Sequence, residues 1–149
     1  MSRKKIIWTI VLLILAGGSW YGYKEYTRTY KDLIHVNADI KISASDIIRE
    51  FETNDSAANK KYPGKIVELS GNVKDIVKDE SGFFTVVLGD TASLSSVRCS
   101  IDTSHQQDAA RLIIGSSAIV RGACTGFNKD EMGLGSDVIL NRCVIIEKK

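Results

Sequence analysis

The sequence predicts a mainly β fold: a five-stranded barrel with Greek-key connections and a helix between its third and fourth strands. Two observations predict it. Five apolar segments alternate every second residue, and a glycine lies in the middle of the first and longest of them. A short helical extension is expected before the barrel. A long uncharged segment near the N-terminus predicts a transmembrane helix before that extension.

The helical extension has clear start and stop signals. Ser43 is a favourable N-cap, with Asp46 three residues later as a capping-box partner, and apolar residues follow at helical spacing. These features predict a helix over residues 44–53. A second helical stretch, capped by Asp55, is expected to end at Pro63-Gly64.

Five strands are predicted after the extension. Gly71 lies inside the first, where a glycine often marks a bulge or a sharp bend. The segment 125–136, which is rich in glycine, is expected to be the loop before the last strand. The predicted strands cover residues 65–77, 83–88, 97–101, 118–124 and 137–147.

The helix between the third and fourth strands is predicted from an N-cap residue and from apolar residues at helical spacing. Ser104 is expected to cap it with Gln107 in the capping box, and Ala109, Leu112 and Ile113 are expected to form its buried side. This order of elements is that of an OB-fold Greek-key barrel. A small sandwich or an SH3-like barrel is the competing fold, and the position of the helix argues against both.

The N-terminal segment predicts where the domain lies. Eighteen uncharged residues, 6–23, follow Arg3, Lys4 and Lys5, and as a helix they would span about 27 Å. Cations before the span place its N-terminus in the cytoplasm. The predicted layout is a cytoplasmic tail over 1–5, a transmembrane helix or uncleaved signal anchor over 6–23, a juxtamembrane spacer over 24–42, and a periplasmic OB-fold domain over 43–149. Secretion after cleavage of a signal peptide is the alternative.

The charge of the chain argues against a strongly basic domain. The chain has 20 Lys and Arg residues and 18 Asp and Glu residues, a formal net charge of +2. Three of the cations precede the span, so the exported part carries slightly more carboxylates than cations. Sequence-independent binding of nucleic acid requires clustered cations that neutralise phosphates. Nucleic acid is therefore an unfavoured partner, although a local basic patch would restore it.

Several segments together resemble the tRNA_anti-like family of bacterial OB-fold proteins. The resemblance covers roughly residues 43–146 and implies a small exported or membrane-tethered OB-fold protein. The family name reflects a similarity of fold to anticodon-binding domains and is no evidence of tRNA binding. The segments that carry the resemblance are Phe51-Glu52-Thr53-Asn54-Asp55, Ala58-Asn59-Lys60-Lys61-Tyr62-Pro63-Gly64-Lys65, Leu69-Ser70-Gly71-Asn72-Val73, Val97-Arg98-Cys99, Val120-Arg121-Gly122-Ala123-Cys124-Thr125-Gly126 and Asp137-Val138-Ile139-Leu140-Asn141-Arg142-Cys143.

Three cysteines permit one disulfide and one free thiol in an oxidising compartment. Cys124 and Cys143 lie on the last two strands, which are neighbours in an OB barrel, and this pair is favoured. Cys99 is then a small buried hydrophobe. The other two pairings and three packed free thiols remain open. Zinc is a weaker hypothesis, because there is no C-x-x-C and both histidines are remote from the cysteines.

Catalysis is not expected. His35 lies in the spacer and His105 in the first turn of the predicted helix, where its side chain should be solvated. Neither belongs to a recognisable catalytic motif, and the carboxylates are dispersed. We expect no cofactor and no resident metal.

The fold instead predicts a binding module. OB barrels bind ligands across strands two and three, between the loops that follow strands one and four. Another envelope protein or a small ligand is the expected partner besides the membrane; an oligonucleotide or a scaffold role is the alternative. A positive strand face would support nucleic acid, and a neutral or acidic one would argue against it. The candidate ligand-binding residues are Lys78, Phe83, Thr85, Arg98, Phe127 and Lys129.

Overall fold

The computed structural model describes residues 13–23, 31–130, 132 and 135–148, in two units that divide near residue 31. In the first unit, residues 13–23 are helical, with exposed side chains that include Trp20 and Tyr21. No helix within the described ranges combines the length and the apolar composition that a membrane span needs. Residues 6–12 of the predicted span lie outside these ranges, so the transmembrane helix stays a prediction.

The second unit is a barrel with a strand and helices before it. The elements are β1 (Ile40–Ser43), α1 (Ala44–Thr53), α2 (Asp55–Lys61), β2 (Ile66–Lys78), β3 (Phe84–Leu88), β4 (Ser96–Ile101), α3 (Gln106–Ala109), β5 (Ser117–Asn128) and β6 (Asp137–Lys148). Strands β2 to β6 pair in the order β2-β3-β4-β6-β5, and β5 pairs back with β2, which closes the barrel. The predicted five-stranded OB fold, with a helix between its third and fourth strands, is confirmed.

Gly71 marks the place where β2 changes partners. Residues 66–72 of β2 pair with β5, and from Val73 onward β2 pairs with β3, with a shift of register between Val73 and Asp75. A Cβ on Gly71 would lie 2.9 Å from the Cβ of Ala44, so α1 approaches the bend too closely for a side chain. The predicted glycine bend is confirmed, and its reason is this close approach together with the change of sheet.

Helix α1 covers one end of the barrel. Its bounds are those predicted from the sequence, and the hydroxyl of Ser43 accepts a hydrogen bond from the backbone N–H of Asp46 at 3.1 Å. Ile47 and Phe51 are fully buried against the barrel core. The cap of α2 differs from the prediction: the side chain of Asn54, and not that of Asp55, accepts from the first turn.

The segment between β4 and β5 also differs from the prediction. Asp102, and not Ser104, is the cap: it accepts a hydrogen bond from the backbone of Ser104 and begins a 3-10 turn. The α-helix that follows ends at Ala109, so Ile113 is not on a buried stripe and is 72% exposed. The capping-box role of Gln107 is not found; Gln106 instead binds the barrel, accepting from the backbone N–H of Phe84 at 2.6 Å.

Two further boundaries differ from those predicted. Strand β5 continues to Asn128, paired with Asp137 of β6, so residues 125–128 are strand and not loop. Residues 32–42, assigned above to the spacer, pack on the barrel: Leu33 is buried and β1 pairs in parallel with the first half of β2.

Candidate ligand-binding site

A cleft of about 460 Å³ lies where β2, β3 and β4 meet the connection between β5 and β6. This is the surface on which OB barrels bind ligands. Its walls come from the second half of β2, from the outer sides of β3 and β4, and from the ends of β5 and β6. The lining residues are Lys74, Asp75, Val77, Val87, Leu94, Ser96, Arg98, Asn128, Lys129, Asp130, Gly135 and Asp137.

Strand register builds the floor of the cleft. Val87 on β3 pairs with Asp75 on β2 and with Arg98 on β4, so these three positions form one row across the sheet. Side chains of such a row project from the same face. Val77 and Leu94 add apolar surface and are 41% and 69% exposed. The cleft is therefore lined more by polar than by apolar surface, with Val77 and Leu94 as its exposed apolar side chains.

Arg98 is held in place by a carboxylate beside the cleft. Its Nε donates to Oδ2 of Asp137 at 2.7 Å, and Oδ1 of Asp137 accepts from the hydroxyl of Ser96 at 2.5 Å. Among the described residues, the Nη groups of Arg98 make no hydrogen bond. The guanidinium is thus oriented, while the donors suited to a planar oxyanion remain uncommitted.

The charges of the cleft balance. Lys74, Arg98 and Lys129 carry the positive charge, and three aspartates carry as much negative charge. Nζ of Lys74 donates to the backbone carbonyl of Ser93 at 2.5 Å. Lys129 makes no hydrogen bond or ion pair within the part of the chain that the structure describes. The cleft is formally neutral and presents both signs of charge.

Of the six residues predicted to bind ligand, two line this cleft: Arg98 and Lys129. Thr85 is half-buried on β3 and Phe83 is exposed just before that strand, but neither lines the cleft. Nζ of Lys78 lies 5.3 Å from the ring centroid of Phe84, a cation–π distance.

Phe127 packs against the barrel core and not in the cleft. Its ring stacks on that of Phe51, with centroids 4.8 Å apart and planes 16° apart. No aromatic side chain lines the described cleft, so bases have no stacking platform there.

Sequence reasoning missed Lys74, Leu94 and Asp137. Lys74 reaches the cleft because the register of β2 shifts between Val73 and Asp75, and periodicity alone does not reveal such a shift. The position of Asp137 follows from the order of the strands. It opens the last strand, and parallel neighbours β4 and β6 place it beside Ser96.

A larger open depression, of about 680 Å³, lies near the start of α1 and the bend of β2. Its lining is mainly serine, glycine and alanine, with Asp90 as its single charged residue. It offers few groups that could select a ligand. We therefore treat the smaller cleft as the candidate site.

Residues with catalytic potential are occupied or buried. The predicted solvation of His105 is wrong: its side chain is 15% exposed, and its two nitrogens lie 2.7 Å from Asp32 and 3.5 Å from Asp108.

The described cysteines are buried free thiols, so the favoured Cys124–Cys143 bridge is not present. Burial raises the pKa of Cys124 to about 11. A search of the described residues for three or more His, Cys, Asp or Glu side chains placed to hold a metal finds none.

Comparison with known proteins identifies a family and a fold. The model of the tRNA_anti-like family matches residues 1–144. A search of curated proteins gives no match. A crystallised lipoprotein of Klebsiella pneumoniae, to which nucleic-acid binding is attributed, is 17% identical with a TM-score of 0.55, and the match covers 80% of this chain and all of the lipoprotein.

The asparaginyl-tRNA synthetase of Pyrococcus horikoshii is 18% identical with a TM-score of 0.46, over 73% of this chain and 23% of the synthetase. The aspartyl-tRNA synthetase of Entamoeba histolytica is 11% identical with a TM-score of 0.42. The match covers 60% of this chain and 20% of the synthetase. At 17% identity, the similarity to the lipoprotein supports only the shared fold. The TM-scores of the two synthetases are below 0.5, so these similarities support no conclusion.

Proposed function

The chain belongs to the tRNA_anti-like family, and we propose that it is a non-catalytic binding module that holds an extended segment of another envelope protein in the Arg98 cleft. The observation that carries this proposal is the cleft itself. It places two exposed apolar side chains, Val77 and Leu94, beside an oriented guanidinium on the surface where OB barrels bind ligands.

Charge balance favours a polypeptide over a polyanion. A strand of nucleic acid presents a phosphate at every nucleotide, and the three aspartates of the cleft would repel it. A polypeptide can present a carboxylate to Arg98 and apolar side chains to Val77 and Leu94. Polar groups around an apolar centre are the usual composition of a protein interface.

A catalytic role has little support among the described groups. A reactive cysteine requires a lowered thiol pKa and partial exposure, whereas burial raises the pKa of Cys124 and encloses its thiol. His105 is engaged by two carboxylates and lines none of the clefts described above. We propose binding alone.

The proposed location is the outer side of the cytoplasmic membrane, with residues 6–23 as the anchor. The uncharged run and the three cations before it support this location. Protease added to intact spheroplasts should then degrade the barrel, and protease added outside sealed cells should not. Protection of the barrel in spheroplasts would contradict the proposed topology.

Site-specific photocrosslinking in cells tests the partner. A photoreactive residue replaces Leu94 in the cleft, and a matched variant carries it at Ile113, which is as exposed but outside the cleft lining. We expect an adduct with one exported protein from position 94 only, and its loss when Arg98→Glu is added. Equal adducts from both positions, or an adduct insensitive to Arg98→Glu, would contradict the proposal.

Oligonucleotide binding is the second candidate, favoured by the OB fold and by the three cations of the cleft. Fluorescence anisotropy with a single-stranded oligonucleotide, measured at several salt concentrations, distinguishes oligonucleotide binding from polypeptide binding. Tight binding that weakens steeply with salt, and that Arg98→Ala and Lys129→Ala both reduce, would replace the polypeptide proposal. We expect weak binding without that response.

A further inference from the structure

Two adjacent serines are buried at the start of β4, and each of them holds a carboxylate. Ser95 and Ser96 are only 6% and 4% exposed. The hydroxyl of Ser95 donates to Oε1 of Glu52 at 2.5 Å. The hydroxyl of Ser96 donates to Oδ1 of Asp137 at 2.5 Å. A buried hydroxyl that loses its partner costs free energy, so these two bonds constrain the backbone that carries the serines.

The constrained backbone carries two groups of the cleft. Leu94 directly precedes the serine pair, and its exposed side chain lines the cleft. Arg98 follows the pair by two residues, and its guanidinium is oriented by Asp137, the partner of Ser96. Ser96 is therefore linked to the guanidinium, while Ser95 constrains the residue next to the apolar side chain.

Glu52 reaches Ser95 from the last turn of α1, outside the barrel strands. The preceding residue, Phe51, is fully buried and packs against the barrel core, which fixes this turn of the helix. Phe51 also stacks on Phe127, with ring centroids 4.8 Å apart, and Phe127 lies two residues before Lys129 of the cleft. The same helical turn therefore contacts chain segments that lead to two borders of the cleft.

Two further hydrogen bonds hold the connection between β3 and β4. Nζ of Lys74 donates to the backbone carbonyl of Ser93 at 2.5 Å. The backbone N–H of Ser136 donates to the hydroxyl of Ser95 at 3.1 Å. Lys74 belongs to the cleft lining, whereas Glu52 lies outside it. Glu52 therefore acts on the cleft through Ser95 and not by direct contact with a ligand.

We propose that Glu52 is a positioning residue for the cleft. Its carboxylate holds Ser95, and this bond keeps the backbone of Leu94 fixed relative to the guanidinium of Arg98. The inference rests on the proposed function, because a fixed spacing matters for a polypeptide that presents an apolar side chain and a carboxylate together. A preorganised site loses less conformational entropy when it binds such a ligand. Glu52 thus strengthens binding without touching the ligand.

Hydrogen exchange of the full chain in detergent, measured without any partner, tests the positioning. In Glu52→Ala the backbone amides of residues 93–98 should exchange about tenfold faster, the factor that corresponds to the loss of one hydrogen bond to a charged group. Glu52→Gln keeps an acceptor oxygen and should restore most of the protection. Unchanged exchange in Glu52→Ala would overturn the proposal. Faster exchange spread evenly over all peptides would also overturn it, because it would show lost stability and no local positioning.

Glu50→Ala is the matched control. Glu50 lies on the same helix, and its Oε2 accepts hydrogen bonds from Lys61 and Tyr62, all three outside the cleft lining. This variant also loses hydrogen bonds to a carboxylate, but residues 93–98 should exchange at the wild-type rate. Equal acceleration in Glu50→Ala and Glu52→Ala would contradict the proposal. Where Glu52→Ala fails to fold, Ser95→Ala removes the same hydrogen bond from the donor side and should give the same local acceleration.

Photocrosslinking in cells separates this inference from the proposed function. With the photoreactive residue at position 94, Glu52→Ala should lower the adduct yield by about fivefold, the size expected when one additional side chain must be ordered on binding. Glu52→Gln should recover the yield. Absence of any adduct from the chain with Glu52 intact contradicts the proposed function, and hydrogen exchange then still decides the role of Glu52. A full yield from Glu52→Ala contradicts the role of Glu52 alone.

Discussion

Arg121 joins the chain before β1 to the wall of the barrel. Its Nε and Nη2 donate to Oε2 of Glu68 at 3.0 and 2.5 Å. Its Nη1 donates to three backbone carbonyls in residues 33–36, the shortest of these bonds being 2.6 Å to Val36. Both charged side chains are only 12% exposed, so this ion pair is shielded from solvent. One guanidinium thus joins Glu68, which also pairs with Lys41, to the backbone carbonyls of residues 33–36.

Replacing Arg121 by Ala should lower the free energy of unfolding by about 1–3 kcal/mol, because Glu68 keeps only its pair with Lys41 and the backbone carbonyls lose their donor. Chemical denaturation followed by far-UV circular dichroism measures the change, since both tryptophans lie in the first 20 residues. Arg98→Ala is the matched control. The side chain of Arg98 is 47% exposed, and its ion pair with Asp137 should contribute no more than about 1 kcal/mol. Equal losses in the two variants would contradict the prediction.

Gly71 gives a second prediction for a single residue. In Gly71→Ala the new methyl group would lie 2.9 Å from the Cβ of Ala44 and 3.6 Å from that of Leu88, so α1 must move away from the bend. We expect a loss of about 1–3 kcal/mol in the free energy of unfolding. Gly126→Ala has open space and should change stability little. Unfolding curves of both variants check this, and an unchanged midpoint for Gly71→Ala would count against the close approach.

His105 links the 3-10 turn that follows β4 to the chain before β1. Burial lowers the pKa of His105, but its hydrogen bond to Asp32 and the charges of Asp32 and Asp108 outweigh burial and raise it. The groups that face this contact are Asp32 and Asp108 with, further off, Asp102 and His35. The pKa of Asp32 is lowered, chiefly by the backbone N–H of Ile34. Both shifts favour the charged pair.

The charge-dependent part of this contact should therefore stabilise the fold only while His105 is protonated. A raised pKa in the folded state gives stability that is complete below the ordinary histidine value of 6.5 and is lost as pH rises through the folded-state value. His105→Gln should thus be less stable than the wild type by about 0.5–1 kcal/mol at pH 6, and the difference should shrink by pH 9. Denaturation at both pH values checks this. A difference that is constant with pH, or larger at pH 9, would show that the charge of His105 contributes nothing.

The elements differ in how far local sequence determined them. Helix α1 was predicted with its bounds because a single side chain, Ser43, fixes where it begins. The end of β5 was predicted too early because Gly126 indicates a turn, while its pairing with Ile139 is decided by the distant strand β6. The cap at Asp102 was missed because Asp102 and Ser104 are both good caps, and local sequence does not select between them.

At the scale of the molecule, strand order was predictable and the lining of the candidate cleft was predictable only in part. Five alternating segments and one helix specify an OB barrel, because few topologies accommodate that order. Arg98 was placed correctly in the cleft because period-2 alternation alone directs it outward. The position of Phe127 depends on a contact that the order of strands does not imply. Helix α1 brings Phe51 beside Phe127, and the two rings stack.

The extent of the folding unit gives the last prediction. Core residues of the barrel unit begin at Leu33, and the partly buried Ile40 and Ile42 of β1 pack against the core. A fragment of residues 32–149 should therefore unfold cooperatively, with a midpoint close to that of the full chain. A fragment of residues 44–149 should be less stable by about 3 kcal/mol or more, since each buried aliphatic side chain contributes about 1.5–3 kcal/mol. The truncation that produces this shorter fragment also removes the salt bridge between Lys41 and Glu68. Equal denaturation midpoints for the two fragments would show that residues 32–43 are a spacer, as their polar composition first indicated. A lower midpoint for the shorter fragment alone would make them part of the barrel.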